Sequence, residues 1–299
     1  ANHGKHVVTM PTEHKAVTDA FERLEQEGFD VTWLMPDADG RLDPERFADA
    51  LREDTQLASI MYVNNETGVL QDVETLGAIC RERDVLMHVD GAQAVGKVPI
   101  DLETMPIDLL SLTGHKFYGP KGIGALYIAD RPGCHVEPLF YGGGQQRRLR
   151  PGTLPADLIA GLGLAAEIAS ARMQDDHAML TDLRDRLWRG IRDIDGIMIN
   201  GDPEGGFPGI LNVSVAGVDG ESLLLALEPL CVATGSACNS QIQEPSYVLR
   251  ALGRSDELAQ SSIRFSVGRP TTVAEVEFAA QRYVDAVARL RALAPPAAA

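Results

Sequence analysis

The runs Leu57-Ala-Ser-Ile-Met-Tyr-Val63 and Val85-Leu-Met-His-Val89 constrain the fold of this chain more than any other feature. A strand with one face in water alternates apolar and polar residues, because successive side chains point to opposite faces. A run without alternation needs cover on both faces, which a parallel sheet between helical layers supplies. Residues 72–83, between the two runs, carry the pattern of a crossover helix. The same grammar occurs upstream: Val7-Val-Thr9 and Val31-Thr-Trp-Leu34 read as strands, with helices over 15–27 and about 44–52. Leu109-Leu-Ser-Leu112 and Ile123-Gly-Ala-Leu-Tyr-Ile128 close the series. The expectation is an α/β chain with a mainly parallel, doubly wound sheet that binds its ligand at the carboxyl ends of the strands.

From Pro155 the grammar shifts. An alanine-rich helical stretch runs through Ile168 and past Trp188, followed by strands Ile210-Leu-Asn-Val-Ser-Val215 and Ile263-Arg-Phe-Ser-Val267. Helices are expected over 222–228, 246–251 and 273–293. This reads as a smaller α+β domain joined through a long helix, with a large domain over 1–173 and the small one over 174–299. The tail 294–299 is too simple in composition to hold structure.

A formal charge of −16 without a compensating basic stripe argues against nucleic-acid binding, and Arg147, Arg148 and Arg150 read either as a solvated turn or as a cluster that meets a phosphate or an acidic partner. No apolar run is long enough to span a bilayer. The four cysteines show no CxxC spacing, so neither a zinc site nor a disulfide framework is expected, and a reducing, cytoplasmic setting fits. Cys231, flanked by Leu230 and Val232, reads as a buried packing residue. Cys238, in the small polar run Thr234-Gly-Ser-Ala-Cys-Asn-Ser240, reads as an accessible thiol.

Polar residues cluster where strands end. Lys116 lies in Ser111-Leu-Thr-Gly-His-Lys-Phe-Tyr-Gly-Pro-Lys-Gly-Ile-Gly124. A lysine beside a histidine on a glycine-rich turn is what a Schiff-base site needs, since the amine must lose its proton and the backbone must admit a bulky group. A water-facing loop is the plainer alternative. Asp90 directly follows an apolar strand and either pairs with a ring nitrogen or caps the next turn. Gln93 either donates to an oxygen or completes that cap. Asn65 follows the 57–63 strand in the same way, as a site residue or as turn chemistry. His14 precedes a helix and either stacks on a flat ring and shuttles a proton or is an ordinary helix-start residue. Thr113 and His115 flank Gly114 and either donate to a phosphate or bond within the turn. Arg264, in a half-buried strand, wants a carboxylate from a substrate or from the protein. The stretch from Gly114 to Lys121 lacks the Gly-Lys-Ser/Thr ending of a nucleotide loop, and the glycines at 161 and 163 fall inside a helical pattern.

Taken together these residues resemble the cysteine desulfurases of the NifS/IscS type, pyridoxal-phosphate enzymes of fold type I. The match runs in order along nearly the whole chain: Thr12-Glu-His-Lys-Ala16, Val63-Asn-Asn-Glu66, His88-Val-Asp90 with Gln93, and Gly114-His-Lys116. It continues through Tyr118-Gly-Pro-Lys-Gly-Ile-Gly-Ala-Leu-Tyr127, Gly142-Gly-Gly144, Gly152-Thr-Leu-Pro155 and Gly235-Ser-Ala-Cys238. Glu244-Pro-Ser-Tyr-Val-Leu-Arg-Ala-Leu-Gly253 and Ser261-Ser-Ile-Arg-Phe-Ser266 complete it. The resemblance implies that Lys116 holds pyridoxal 5'-phosphate covalently, Asp90 pairs with its pyridine nitrogen and Gln93 contacts its phenolic oxygen. His14 would stack on the ring and move protons, with Asn65 near ring and substrate. Thr113 and His115 would hold the phosphate, and Thr153 would reach the phosphate site of the second subunit of a homodimer. Arg264 would bind the carboxylate of L-cysteine. Cys238 would take its sulfur as a persulfide, leave alanine, and deliver to an acceptor such as an iron–sulfur scaffold or a tRNA-thiolation carrier.

Three departures from the family pattern stand out. No Gly-Ala-Thr-Glu type phosphate turn occurs in the chain, so the resemblance implies that the family's preceding segment lies outside it, as in a fragment or a shortened form. The loop Cys238-Asn-Ser-Gln-Ile-Gln243 is more polar than the family's small-residue run, and residues 294–299 stand where the family has a docking tail. Two rival readings remain open at this point: a selenocysteine lyase-like enzyme, and a truncated, non-catalytic homologue that dimerises and regulates.

Overall fold

The computed structural model describes residues 4–234 and 244–293. Its larger sheet is built from β1 (His6–Thr9), β2 (Asp30–Trp33), β3 (Thr55–Met61), β4 (Leu86–Asp90), β5 (Leu109–Thr113) and β6 (Gly124–Ile128). Among the described residues their order is β2-β1-β3-β4-β5-β6, parallel throughout except for β6, which runs antiparallel to β5. Helices α1 (Lys15–Gln26), α2 (Pro44–Ala50) and α3 (Val73–Glu82) lie in the connections between these strands. Their starts follow local chemistry: Asp43 accepts from Glu45 N ahead of Pro44, and Asp72 accepts from Thr75 N. His14 takes the same part at α1, where its Nδ1 accepts from Ala16 N. The continuous apolar runs supply the core, with Val8, Ala58, Ile60, Met87 and Val89 fully buried against Phe47, Leu76 and Cys80.

Two histidines, His6 buried and His88 half-buried, stitch this sheet sideways. His88 in β4 meets Ser59 Oγ of β3 through Nδ1 at 2.7 Å and Ser111 Oγ of β5 through Nε2 at 2.9 Å. His6 in β1 bridges Thr55 of β3 and Thr32 of β2 at 2.7 and 2.8 Å. A neutral ring satisfies both hydroxyls by donating to one and accepting from the other. Burial lowers the pKa of both rings, which keeps them neutral.

Helix α4 (Ala156–Ile191) is a single run of 36 residues. Its first half packs Ala165 and Ala169 on Phe117; its second half packs Leu183, Leu187 and Ile191 into a different core. That second core belongs to a three-stranded antiparallel sheet, β7 (Ile197–Ile199), β8 (Ile210–Val215) and β9 (Ile263–Ser266). Helices α5 (Gly220–Ala226), α6 (Tyr247–Ala251), α7 (Asp256–Gln260) and α8 (Val273–Leu293) surround it. Tyr283 of α8 is fully buried and meets Phe265 edge-on at 5.6 Å between ring centres.

The sequence pattern did not reveal β7 or α7, both too short to show a period. Cys80 and Cys134 are buried as expected, but Cys231 is exposed. The error came from its apolar neighbours: Leu230 and Val232 pack against the core of the smaller sheet, while Cys231 between them is left exposed.

Candidate active site

The carboxyl ends of β3, β4 and β5 converge on one cavity of about 270 Å³. A 3-10 turn, Gly114–Phe117, follows β5 and carries Lys116 to the cavity wall. The turn is anchored from below by Phe117, 1% exposed and seated on Ala165 and Ala169 of α4. Gly114 has no room for a side chain: a Cβ there would stand 3.1 Å from Pro120 O and from Leu162. Tyr118 adopts a left-handed backbone, φ 70°, and turns the chain back toward β6. Its hydroxyl accepts from Arg269 N at 2.9 Å, while the Arg269 guanidinium stacks 4.5 Å over its ring. Arg269 Nε also donates to Asp176 Oδ2 of α4 at 2.5 Å.

Gln93, His115, Lys116, Asn65 and Arg264 all line this cavity. Arg264, in β9 of the smaller sheet, reaches across and donates through Nη1 to Asn65 O at 2.8 Å. Arg264 Nε and Asn65 Oδ1 are buried without a hydrogen-bond partner among the described residues. Such atoms cost free energy unless a ligand satisfies them. The internal salt bridge considered for Arg264 does not occur among the described residues; a backbone carbonyl takes its place.

The other expected residues lie outside the cavity lining. Asp90, buried at the end of β4, accepts from Ala92 N at 2.8 Å, so the capping role is realised. His14 caps α1, and Thr113 Oγ1 meets His115 Nδ1 at 2.9 Å. Thr153 is exposed on the segment that leads into α4. Cys238 lies outside the described residues.

Several groups here were not singled out by sequence reasoning. Lys97, four residues after Gln93, lines the cavity and donates to Gln93 Oε1 at 2.5 Å. Burial, then the neighbouring Lys116 and Arg264, push its ammonium down to about 8. Glu66 is buried, which raises its carboxyl to about 7 despite a hydrogen bond from Ser246 and the nearby Arg264. Glu13 is fully buried, accepts from Met61 N through Oε1, and is raised well above the ordinary carboxylate range by burial. For Glu66 the visible signal was position, directly after Asn65 at a strand end.

Four cationic side chains, Lys97, Lys116, Arg264 and Arg269, line the cavity against the single carboxylate of Asp176, in a chain whose formal charge is −16. Among the described residues no cluster could hold a metal ion, and no helix is long and apolar enough to cross a membrane.

A parallel sheet presenting a lysine on the turn after a strand, beside a second sheet that contributes an arginine, has the form of a pyridoxal-phosphate enzyme of fold type I. The family model for aminotransferase class-V matches residues 1–278. The cysteine desulfurase IscS of Enterobacter sp. (strain 638) is 53% identical over 292 residues, covering 98% of this chain and 72% of its own length. That of Serratia proteamaculans (strain 568) agrees to the same extent. Among solved structures, a NifS-like protein superposes with a TM-score of 0.88 at 34% identity, over 96% of this chain and 76% of its own. DndA from Streptomyces lividans does so with a TM-score of 0.77 at 43% identity, over 88% and 74%.

The chain therefore belongs to the aminotransferase class-V family, whose members depend on pyridoxal phosphate. Within that family it falls among the cysteine desulfurases. The residues present fit the cofactor. The cavity is rich in cations for an anionic ligand, Lys116 reaches its wall, and buried Arg264 Nε and Asn65 Oδ1 await partners.

Proposed function

We propose that this cavity is the site at which L-cysteine is converted to L-alanine, its sulfur passing to Cys238 as a persulfide. The observation that carries the reading is the excess of cations around a cavity whose buried Arg264 Nε and Asn65 Oδ1 lack partners. A phosphorylated cofactor and an amino-acid carboxylate both bring the negative charge that the cations and Arg264 Nε call for, while Asn65 Oδ1, an acceptor, calls for an N–H donor such as a substrate amine.

Lys116 is the residue that holds the cofactor, with Thr113 and His115 at its phosphate, Asp90 at its ring nitrogen and Gln93 at its phenolic oxygen. Bound there, pyridoxal phosphate withdraws electrons from the α-carbon of the amino acid, which is what allows the bond to sulfur to break. Arg264 binds the substrate carboxylate as a two-pronged donor, and Asn65 orients substrate and ring. Lys116 Nζ, once free, and His14 carry protons to and from the substrate carbons. The Cys238 thiolate attacks the substrate sulfur: an S–S bond forms, the carbon–sulfur bond breaks, and its electron pair stays on carbon, which takes up a proton and leaves as alanine.

The division at residues 173/174 assigns the cofactor half to the large domain and Arg264 and Cys238 to the small one. A homodimer is part of this reading, with Thr153 serving the partner's phosphate site. The exposed apolar stretch Leu139-Phe140-Tyr141, just before the glycines at 142–144, supports it. A cytoplasmic setting and an iron–sulfur scaffold or thiolation carrier as acceptor complete the proposal. SspA, solved "in complex with cysteine", is 37% identical with a TM-score of 0.76 over 89% of this chain and 74% of its own, and favours cysteine as the substrate class.

The test is spectroscopic. Purified protein mixed with pyridoxal phosphate should gain a visible absorption band that Lys116→Ala abolishes. Cys238→Ala should keep the band and release no sulfide from cysteine. Normal turnover by that variant would refute the persulfide role.

A further inference from the structure

Behind Gln93 stands a cation whose only available chemistry is donation. The Lys97 ammonium lies 2.5 Å from Gln93 Oε1 and 5.4 Å from the centre of the Phe207 ring. Gly96, in a left-handed backbone at φ +75°, turns the chain between them, and a Cβ there would press within 2.8 Å of Phe117. Lys97 is therefore held inward by its backbone and its aromatic seat. It remains mostly protonated at neutral pH, although its pKa is lowered to about 8 by burial, Lys116 and Arg264. An ammonium has three donors and no acceptor. The Gln93 carboxamide must then turn its oxygen to Lys97 and its NH2 away, and among the described residues nothing takes those hydrogens. A glutamine without such a neighbour presents either end of its amide at little cost.

We propose that Lys97 is a positioning residue that makes Gln93 an obligate hydrogen-bond donor toward the ligand of this cavity. The inference rests on reading the cavity as a cofactor site, and it assigns Lys97 a task that acts through Gln93. A donor facing the cofactor's phenolic oxygen favours the anionic form of that oxygen, whereas an amide oxygen turned the same way would oppose it.

Two variants separate positioning from packing. Lys97→Met keeps a long stem over Phe207 but cannot donate; Lys97→Arg keeps the donor. In protein loaded with pyridoxal phosphate, the pH at which the visible band changes form should rise by about one unit in Lys97→Met, a tenfold shift in the proton equilibrium. Lys97→Arg should restore it. A transition pH unchanged in Lys97→Met overturns the proposal. Crystal structures of the unloaded proteins give a second reading: Gln93 should hold one rotamer in the wild type and more than one in Lys97→Met. A single unchanged rotamer in that variant also overturns it. If wild-type protein gained no visible band, the cofactor reading would fail, while the unloaded structures would still decide whether Lys97 holds Gln93.

Discussion

Ser246 Oγ donates to Glu66 Oε2 at 2.6 Å, and this bond ties the start of α6 to the strand end that carries Asn65. Ser246 also caps α6, accepting from Leu249 N, so one hydroxyl serves both the helix start and the contact with Glu66. Burial raises Glu66 from 4.5 to about 7. The folded state thus binds a proton that the unfolded chain releases above about 4.5. The stabilising contribution is complete below pH 4.5 and is lost as pH rises through about 7. Glu66→Gln should remove this slope. Urea unfolding at pH 5 and pH 8 should show a wild-type loss from this group of about 3 kcal/mol that the variant lacks. A variant with the same pH slope as the wild type would show that Glu66 does not titrate here.

The bridging histidines act at the opposite end of the scale. His88 is lowered from 6.5 mainly by burial. Below pH 6.5 the unfolded chain takes up the proton first, so stability falls as pH drops beneath that value. His88→Phe should cost about 2 kcal/mol or more at pH 8, because Ser59 and Ser111 lose their shared partner. The same variant should lose less stability than the wild type between pH 7 and pH 5. Denaturant titrations at the three pH values measure both effects.

Arg264→Lys keeps the charge but not the fork. On the proposed reading, KM for cysteine should rise roughly tenfold to a hundredfold, the cost of a lost charge-assisted bond. The cofactor band should change little. Steady-state kinetics beside the absorption spectrum distinguish this outcome from a general collapse of the site.

Gly96→Ala would meet Phe117 Cβ at 2.8 Å and Ala169 Cβ at 3.1 Å while forcing a side chain onto a φ of +75°. A loss of about 1–3 kcal/mol is expected. Since Phe117 anchors the turn of Lys116, affinity for pyridoxal phosphate should fall with it. Thermal unfolding and a cofactor titration check the two parts separately.

Much of the fold was visible along the chain because its long elements carry their own period. The uninterrupted runs at 57–63 and 85–89 became the adjacent parallel strands β3 and β4, and the alanine-rich stretch became α4. Where the signal failed, the cause was range. Three residues of β7 hold no period, and Cys231 was judged by neighbours whose side chains point elsewhere. Within the site, Lys116, Gln93, Asn65 and Arg264 could be picked out because each follows or lies in a strand. Tyr118, Asp176 and Arg269 could not, since they meet only after the chain has folded back from 151 and 93 residues away. Lys97 was hidden differently: a lysine after a glycine reads as solvent-facing, and only the ring of Phe207 shows otherwise.

Helix α4 begins under the lysine turn and ends in the core that carries Arg264. At 1.5 Å per residue its 36 residues make a spar about 54 Å long, clamped at both ends. Its stiffness sets the gauge of the gap between Lys116 and Arg264, much as a beam fixes the spacing of two walls. For the two walls to part, that beam must flex or the Tyr118–Arg269–Asp176 fastening near its middle must break, and the Ser246–Glu66 and Arg264–Asn65 bonds must yield as well. Met173, Asp176, His177 and Leu180 of the same beam line the cavity, so the member that spaces the two walls is also part of the floor between them.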